Sequence, residues 1–407
     1  MHILLIHQAF VTSGDAGGTR HYELAQLLAR QGHRISVITS NLSYLTGTQK
    51  NAAGQPATDK TAGNIRIHTS YASAGLHKGF LPRLFSFFSF MVTAFFTALS
   101  VPDVDIVWGT SPNLFQALTA WLSARCKRSR FLLEIRDLWP DFAVELGVLK
   151  NPLLIGCSRG LEKFLYRHAD RIIVNSPGFI QHIVQKSGKT AVLIPNGANC
   201  EMFTAASDNG AAFRRQHGLE TAFVVMYCGA HGPANDLDVA LDAAELLREE
   251  PAIRFVFVGS GKDKDRLVES AGERNLRNVV FAPPVSKSGM PAVLAAADAG
   301  LAILKPIPLF TTTYPNKVFD IMASGKPVLC QIDGVIRSVV EEHDAGLYVR
   351  PGDPTALAAA VRLLAENPAR CQEMGANGRA AIRDHFSREQ AAKQLESVLS
   401  EMISAAK

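Results

Sequence analysis

The sequence HILLIHQAFVTSGDAGGTRHYELAQLLARQGHRISVIT, residues 2–39, decides the fold class of this chain. It begins with a continuous apolar run (2–7), passes through a glycine loop and an amphipathic helical stretch, and ends in a second apolar run (35–39). Strand, helix and strand in succession predict two parallel strands joined by a right-handed crossover. Gly17 and Gly18 then lie at the carboxyl edge of the sheet, where open parallel sheets bind ligands. The other interpretation is an ordinary turn, since these glycines do not form a GxGxxG loop.

The same alternation of apolar runs and amphipathic stretches continues through both halves of the chain. With 407 residues, of which 47% are hydrophobic, the chain is too long for one ordinary core. We therefore predict an α/β protein with two doubly wound, Rossmann-like parallel-sheet domains that face a cleft. Pro, Asn and Gly in IPNGANCEMF (194–203) stop regular structure, so the boundary is expected near 197–206. The predicted domains are residues 1–200 and 201–385, followed by a helix in residues 386–407 that crosses back to the first domain.

Composition and charge exclude several classes of protein. The 42 basic and 37 acidic residues give a net charge of +5, which permits anionic ligands or an anionic membrane surface but does not indicate nucleic-acid binding. The six cysteines lie far apart, without a CxxC pair or a Cys/His cluster, so we predict neither a disulfide framework nor a metal site. The N-terminal run lacks the features of a signal peptide, which predicts a cytoplasmic protein.

A candidate phosphate site lies in LKPIPLFTTTYPNKVFDIMASGKPV, residues 304–328. A helix that begins near Asn316, after a strand and a loop, points unpaired N–H groups and a partial positive charge at the strand ends, which suits a phosphate. Lys305 and Lys317 bracket the same place and add positive charge. The carboxylate of Asp320, inside the helix, suits the hydroxyl groups of a ribose.

Two glycine turns end neighbouring predicted strands in the same half of the chain. They are CGAHG (228–232) and GSGK (259–262), and they contain Gly229, His231 and Gly261. Glycine lets the backbone approach a ligand closely, although such turns are ordinary in this architecture. We expect these residues to line the phosphate site.

A polar group follows a buried strand in the first half of the chain. Arg136 and Asp137 of FLLEIRDLWPD (131–141) stand at the carboxyl end of that strand, which indicates a ligand site by position. In the other interpretation, an arginine and an aspartate pair with each other and cap the loop.

The segment Leu84–Val101 contains no charged residue, is rich in phenylalanine and reaches the length of a transmembrane helix. Its serines and threonines recur every three or four residues and so form one narrow polar stripe on a helix. Three interpretations remain: a membrane span, a helix buried in the domain, or a helix that also touches a membrane. In the last case Lys78 and Arg83 would contact anionic headgroups, with Phe87 and Phe88 beside them.

Several longer stretches resemble one family of enzymes and cover nearly the whole chain. They are GGTRHYELA, QGHRISVITS, IRDLWPDFAVELGVLKNP, LEKFLYRHADRIIVNSPGF, LIPNGANCEMF, the 304–328 stretch and GLYVRPGD. The sequence resembles the retaining glycosyltransferases of family 4, which have the GT-B fold, and among them the bacterial enzymes that build O-antigen or capsule with amino or deoxy sugars. The resemblance implies an N-terminal acceptor-binding domain and a C-terminal domain that binds a nucleotide sugar.

The resemblance assigns site residues one by one, and this chain departs from the family in several places. The family's second motif carboxylate is Asp320, which implies a ribose contact, but the first, which holds the donor sugar, falls on Thr312. A neutral hydroxyl there suits an acetamido or deoxy sugar. Where other members have a histidine after the FLLEI strand, this chain has Arg136.

The family's basic pair for the diphosphate is also absent. Its arginine and lysine fall on Ala230 and Asn235. We expect Lys305, Lys317 and the start of the helix at Asn316 to replace them.

The activity that the resemblance implies is transfer of an N-acetylated or deoxy hexosamine from a UDP-sugar to a polyprenyl-diphosphate-linked glycan, with retention. The enzyme is expected at the cytoplasmic face of the membrane, and the leaving diphosphate is expected to take the acceptor proton without a metal or cofactor. The predicted catalytic residues are Lys305, Lys317, Arg136 and Asp137; the donor-binding residues are Gly17, Gly18, Gly229, His231, Gly261, Thr312, Asn316, Lys317 and Asp320; the acceptor or membrane residues are His21, Arg83, Phe87 and Phe88. Two other functions remain open: a non-hydrolysing nucleotide-sugar epimerase and a noncatalytic partner in a membrane complex.

Overall fold

The computed structural model describes residues 1–43, 47, 49, 60–62, 64–75, 79–204 and 210–404. Lys78, expected at lipid headgroups, lies outside these residues. The chain divides into two compact units. The first contains residues 1–12, 19–195 and the chain from 389 onward, and the second contains residues 13–18 and 196–388.

The first unit is built on an eight-stranded sheet in the order β3-β4-β2-β1-β5-β6-β7-β8. Its strands are β1 (His2–Ile6), β2 (Arg34–Ser40), β3 (Lys60–Ala62), β4 (Ile65–Ser70), β5 (Ile106–Thr110), β6 (Arg130–Ile135), β7 (Arg171–Val174) and β8 (Val192–Leu193). Its helices are α1 (Arg20–Arg30), α2 (Phe80–Ser100), α3 (Leu114–Lys127), α4 (Asp141–Glu145), α5 (Pro152–His168), α6 (Gly178–Ser187) and, from the end of the chain, α16 (Arg388–Ser404).

The second unit is built on a six-stranded sheet in the order β11-β10-β9-β12-β13-β14. Its strands are β9 (Phe223–Cys228), β10 (Ile253–Val258), β11 (Val279–Ala282), β12 (Ala299–Ile303), β13 (Val328–Gln331) and β14 (Gly346–Tyr348). Its helices are α7 (Cys200–Thr204), α8 (Gly210–His217), α9 (Leu237–Leu246), α10 (Lys264–Glu273), α11 (Met290–Ala295), α12 (Asn316–Ala323), α13 (Val335–Glu342), α14 (Pro354–Ala365) and α15 (Pro368–His385). Short 3-10 turns cover Pro233–Asn235, Lys287–Gly289 and Pro308–Thr312.

The predicted class, α/β with two parallel-sheet domains, is confirmed. The central strands β1 and β5 of the first unit and β12 of the second are buried along their whole length, which explains why they appear in the sequence as apolar runs. One strand departs from the parallel arrangement: β3, in the polar segment 41–64, pairs antiparallel with β4. Most of that segment lies outside the described residues.

The final helix supplies part of the core of the first unit. On α16, Ala391, Leu395 and Leu399 are buried in one cluster with Leu5 of β1 and Trp108 of β5. The helix starts at Arg388, where the sequence predicts it, because its apolar positions recur at three- and four-residue spacing.

Candidate active site

Lys317 is partly buried at the start of α12. Its ammonium donates hydrogen bonds to the Tyr227 hydroxyl at 3.0 Å and to Oδ1 of Asn235 at 2.9 Å, and it lies 4.2 Å from the centre of the Tyr227 ring. Burial lowers the pKa of Lys317 to about 7. A lysine in this state is ready to gain full charge when an anion arrives beside it.

Lys317 lies where the glycine turn after β9 lacks an expected basic residue. Asn235 stands where the resemblance expects a lysine, and the Lys317 ammonium contacts it directly. A Cβ on Gly229 would lie only 3.5 Å from Nζ of Lys317, at a φ of +154° that favours glycine. The Tyr227 hydroxyl also donates to the Ala230 carbonyl at 2.7 Å and so holds the turn in place.

Asp320 forms an ion pair that the sequence does not reveal. Nζ of Lys287 lies 2.6 Å from both carboxylate oxygens, and the two side chains are only 10% and 15% exposed. Lys287 belongs to the 3-10 turn that follows β11. The predicted ribose ligand is therefore held by a cation in this structure.

The glycine loop 13–18 contacts the same turn, within the second unit. The backbone N–H of Lys287 donates to the Asp15 carbonyl at 3.1 Å. Gly17 has a φ of +139°, and a Cβ on Gly18 would lie 3.6 Å from Nδ2 of Asn316. Oδ1 of Asn316 is buried and has no hydrogen-bond partner among the described residues. Gly17, Gly18 and Asn316 thus lie near one another, with a polar atom left unused.

The turns after β9 and β10 interlock around His231. A Cβ on Gly259 would meet the Gly229 carbonyl at 1.9 Å, and a Cβ on Gly261 would meet the His231 carbonyl at 2.3 Å, so neither position accepts a side chain. The His231 ring is fully buried, and within the described chain neither ring nitrogen has a partner. Burial, assisted by the charges of nearby lysines, lowers the pKa of His231 to about 4, so the ring is neutral at pH 7.

Lys305 and Thr312 lie in the loop before α12. The backbone N–H of Lys305 donates to the Ala234 carbonyl at 3.0 Å, next to the Asn235 that holds Lys317. The Thr312 hydroxyl donates to the Leu309 carbonyl at 2.6 Å. Since that proton is engaged, the Thr312 oxygen offers an approaching group mainly an acceptor.

Arg136 lies at the carboxyl edge of the sheet in the first unit. Its Nη1 is 3.0 Å from Nε2 of His7, and its backbone N–H donates to the Ser111 hydroxyl at 2.8 Å. A guanidinium only donates, so His7 accepts through Nε2 and carries its proton on Nδ1, a buried atom without a partner in the described chain. Burial, with the nearby His21 and Arg136, lowers the pKa of His7 well below its ordinary value.

Asp137 does not form an ion pair with Arg136 in the described chain. Oδ1 of Asp137 is buried without a hydrogen-bond partner there, and burial raises the pKa of this carboxyl to about 7. The capping interpretation, in which the two side chains pair, is therefore not what the structure shows. Within the described chain, Oδ1 of Asp137 and Nε of Arg136 therefore remain without a hydrogen-bond partner.

Below this edge lies a fully buried charged network. Glu134 accepts from Nε of Arg20 at 2.9 Å and from Nε2 of His21 at 2.6 Å. The Arg20 guanidinium also donates to the carbonyls of Pro195 and Ile194 at 2.7 and 2.6 Å. Burial lowers the pKa of His21 to about 4, and the ring packs 4.5 Å from that of His7. The predicted acceptor residue His21 is thus inside the domain and supports the residues around Arg136.

The polar stripe of α2 faces the protein. Ser89 accepts from the Ser73 N–H at 3.0 Å, and Thr93 donates to the Tyr71 carbonyl at 2.7 Å. On the same helix Phe90 is fully buried. The stripe therefore belongs to the packing of the domain, because its hydroxyls satisfy backbone groups beyond the end of β4.

The opposite face of α2 is apolar and exposed. Pro82–Ser100 is long and apolar enough to cross a bilayer, with a mean hydropathy of 1.4, and 22% of it is buried. Phe87 is half-buried, with the Arg83 guanidinium 5.5 Å above its ring. The outward residues are Phe85, Phe88, Val92, Phe96 and Leu99.

One cluster in the first unit has the ligand types of a metal site. The potential ligand atoms of Asp141, Glu162 and His182 all lie within 4.8 Å of one another. The ammonium of Lys186 already binds both carboxylates, and Arg159 binds Asp141 at 2.9 Å. These cations offset the negative charge that would attract a metal ion, so the cluster fits an ion-pair network better than a metal site.

Sequence reasoning missed two residues of these sites. Lys287 is a lone lysine in the loop PPVSKSG after a strand, and His7 directly follows the first strand. Both positions are at carboxyl strand ends, the signal that identified Arg136. They matter because Lys287 pairs with Asp320 and His7 with Arg136, and these partners are distant in sequence.

Comparisons with known proteins cover most of the chain. A model described as glycosyl transferase 4-like domain matches residues 16–197, and a model described as glycosyl transferases group 1 matches residues 210–381. A protein of Escherichia coli (strain K12), named as a colanic acid biosynthesis glycosyl transferase, WcaI, is 27% identical over 314 residues, or 74% of this chain and 76% of its own length.

Solved structures share the fold over nearly the full length. Sucrose-phosphate synthase from Thermosynechococcus elongatus covers 99% of both chains with a TM-score of 0.77 at 20% identity. HepE of Anabaena, solved in complex with UDP-glucose, covers 98% of this chain and 100% of its own with a TM-score of 0.74 at 18% identity. These likenesses confirm the fold predicted from the sequence.

Proposed function

Since the chain belongs to the glycosyl transferases group 1 family, with a glycosyl transferase 4-like domain in its N-terminal half, we propose that it transfers a sugar from a UDP-linked donor to a polyprenyl-diphosphate-linked glycan. The sugar keeps its anomeric configuration, and the product is part of a bacterial surface polysaccharide such as O-antigen or capsule. Support comes from the colanic acid assignment in the name of WcaI and from the UDP-glucose bound by HepE. No family match favours an epimerase or a noncatalytic partner.

The observation that carries the proposal is the place of Lys317. Its ammonium contacts Asn235, at the position where the family's diphosphate lysine is missing. With Lys305 and the start of α12, it stabilises the charge that grows on the leaving diphosphate. Each charge-assisted contact contributes about 1.5–3 kcal/mol. The diphosphate accepts the proton of the acceptor hydroxyl as the glycosidic bond forms, and neither a metal ion nor a cofactor takes part.

Thr312 favours an N-acetylated or deoxy hexosamine as the transferred sugar. Its hydroxyl proton is engaged by Leu309, so its oxygen accepts from an amide N–H or a hydroxyl of the sugar. A carboxylate at this position would remain unpaired beside a sugar that lacks a hydroxyl, whereas a threonine has no charge to leave unpaired.

Arg136 and Asp137 position the acceptor in this proposal. Arg136 is fixed by His7 and Ser111 and retains a free Nε donor for a phosphate or hydroxyl oxygen. The buried carboxyl of Asp137 is an acceptor for the hydroxyl that reacts. Both lie at the sheet edge where this class of fold binds ligands.

In this proposal the enzyme works at the cytoplasmic surface of an anionic membrane, with the exposed face of α2 against the lipid. Because the polar stripe is bonded to the protein, the phenylalanine face is the one available to lipid, and the helix lies along the surface. Arg83 adds an attraction to anionic headgroups of about 1 kcal/mol.

Thermal unfolding with a panel of nucleotides tests the donor. We expect UDP and one UDP-sugar to raise Tm, because a ligand at about 100 times its Kd stabilises the folded state by about 2.7 kcal/mol. ADP at the same concentration is the control and should have a much smaller effect. A panel in which no uridine nucleotide raises Tm contradicts the proposal, as does conversion of the donor to its epimer when no acceptor is present.

Vesicle flotation tests the membrane surface. We expect the protein to float with anionic vesicles at low salt, and the Phe85→Ser/Phe96→Ser variant to remain in the soluble fraction, since each phenylalanine contributes about 1.5–3 kcal/mol when its surface leaves water. Leu153→Ser is the matched control, because Leu153 is 74% exposed on α5 of the same unit. Equal flotation of the double variant and the wild type would refute the role of α2.

A further inference from the structure

Lys287 and Asp320 neutralise each other in a nearly buried ion pair. The ammonium lies 2.6 Å from each carboxylate oxygen, and 90% of the Lys287 side chain is covered. A buried pair with this geometry leaves neither charge without a partner. Asp320, however, is the residue that the sequence and its family resemblance predict as the ribose ligand of the donor.

A ribose that reaches Asp320 competes with Lys287 for the same two oxygens. If the carboxylate turns to the sugar hydroxyls, the ammonium loses its counterion in a place with little water. A buried charge left in this way is strongly unfavourable unless another anion takes over. Binding of a nucleoside therefore requires a second partner for Lys287.

No second anion for Lys287 is found among the described residues. Its ammonium otherwise lies 5.4 Å from the centre of the Phe203 ring, and its only ion pair with a described residue is the one with Asp320. Burial raises the pKa of the neighbouring Cys228 thiol to about 12, so that group is neutral. Apart from Lys287 and Asp320, the charged group that affects the pKa of Cys228 is Lys317, which is a cation and so cannot pair with Lys287. No described residue supplies the replacement anion, whereas a ligand phosphate would.

We propose that Lys287 is a phosphate-binding residue of the donor site, which exchanges Asp320 for a phosphate group when a nucleoside phosphate binds. In the exchange, the ribose hydroxyls donate to Asp320 and a phosphate oxygen accepts from Lys287, so both members of the pair keep a partner. This inference rests on the proposed function. It also accounts for the second missing cation, since Lys317 compensates at Asn235 and Lys287 supplies the charge that an arginine at Ala230 would bring.

The backbone around Lys287 supports a role at the ligand. Its N–H binds the Asp15 carbonyl, and the next residue, Ser288, binds the Ser13 carbonyl, both at 3.1 Å. The turn that carries the ammonium is therefore tied to the loop of Gly17 and Gly18, which the sequence predicts at the donor.

Calorimetric titration with uridine, UMP and UDP separates the exchange from a merely structural ion pair. In the wild type, UMP and UDP are expected to bind much more tightly than uridine. In Lys287→Met, UMP and UDP affinities should fall roughly 10- to 100-fold, the scale of one charge-assisted contact. Uridine affinity should stay the same or rise, because Asp320 no longer has a competing partner. Lys393→Met, an exposed change of equal charge on α16, should leave all three affinities unchanged.

Each result decides the question. An equal loss of affinity for uridine and UDP in Lys287→Met, or no change in either, overturns the exchange while the proposed function stands. Failure of the wild type to bind any uridine nucleotide overturns both. Should Lys287→Met not fold, the Lys287→Met/Asp320→Asn variant removes both charges, and it must still lose the preference for UMP over uridine.

Discussion

Replacement of Lys317 by alanine should lower kcat by roughly 10²-fold or more, the scale of one lost group that stabilises transition-state charge. The reason is its position: its ammonium contacts Tyr227 and Asn235, at the place where the glycine turn lacks the lysine of the family. Steady-state kinetics with saturating UDP-sugar measure the effect. An unchanged kcat under that condition would show that Lys317 does not act on the leaving group.

The pH dependence gives an independent check on the same residue. Because burial lowers the pKa of Lys317 to about 7, the free enzyme loses this charge as the pH rises above 7. A diphosphate favours the charged form, so donor binding takes up a proton and kcat/KM should decline above pH 7. Lys317→Arg keeps its charge at every pH and should flatten that part of the profile. The same alkaline decline in Lys317→Arg would assign it to another group.

Glu134→Ala should lower the free energy of unfolding by about 3–5 kcal/mol, because removal of one partner leaves the buried Arg20 guanidinium without its counterion. Glu134 and Arg20 are both fully buried, and no water reaches the pair. Denaturant titration measures the change. As a control, Arg34→Ala breaks an exposed pair with Asp103 and should cost less than about 1 kcal/mol. A loss for Glu134→Ala as small as that of Arg34→Ala contradicts the prediction.

The charge on Glu134 also predicts how acid affects this unit. Burial alone would raise its pKa, but His21 and Arg20 outweigh that effect and hold the pKa well below the usual range. A carboxylate whose pKa is lowered by folding contributes its full stabilisation at a pH above the unfolded-state pKa, which is about 4.3. This contribution is lost as the pH falls from that value towards the pKa of the folded state. The difference in unfolding free energy between the wild type and Glu134→Gln should therefore shrink in acid.

The fold was predictable because each buried parallel strand appears as a short apolar run in the sequence. HILLI and IVWGT are mostly apolar, and both are central strands. The position of Lys317 at a helix start was predictable for a similar reason, since a proline, Pro315, directly precedes that helix in the sequence. Local patterns of this kind report where the chain is covered and where an element begins.

The pairs in the site were not predictable because they join residues that are distant in sequence. Asp320 and Lys287 are 33 residues apart, and Arg136 and His7 are 129 residues apart. No periodicity relates such positions, and only the sheet order brings them together. For α2 the sequence predicted two unlike faces but not their orientation, because hydroxyls can satisfy either water or the protein's own backbone.

The interleaving of the two units limits how this enzyme can be dissected or recombined. A fragment that stopped at Pro195 would lack α16, and with it Leu395 and Leu399 of its own core. A fragment that began at Asn196 would lack the loop whose carbonyls receive the N–H groups of Lys287 and Ser288. Neither half is therefore a self-sufficient module, and exchange of the whole second unit between relatives requires four crossover points in the gene rather than one.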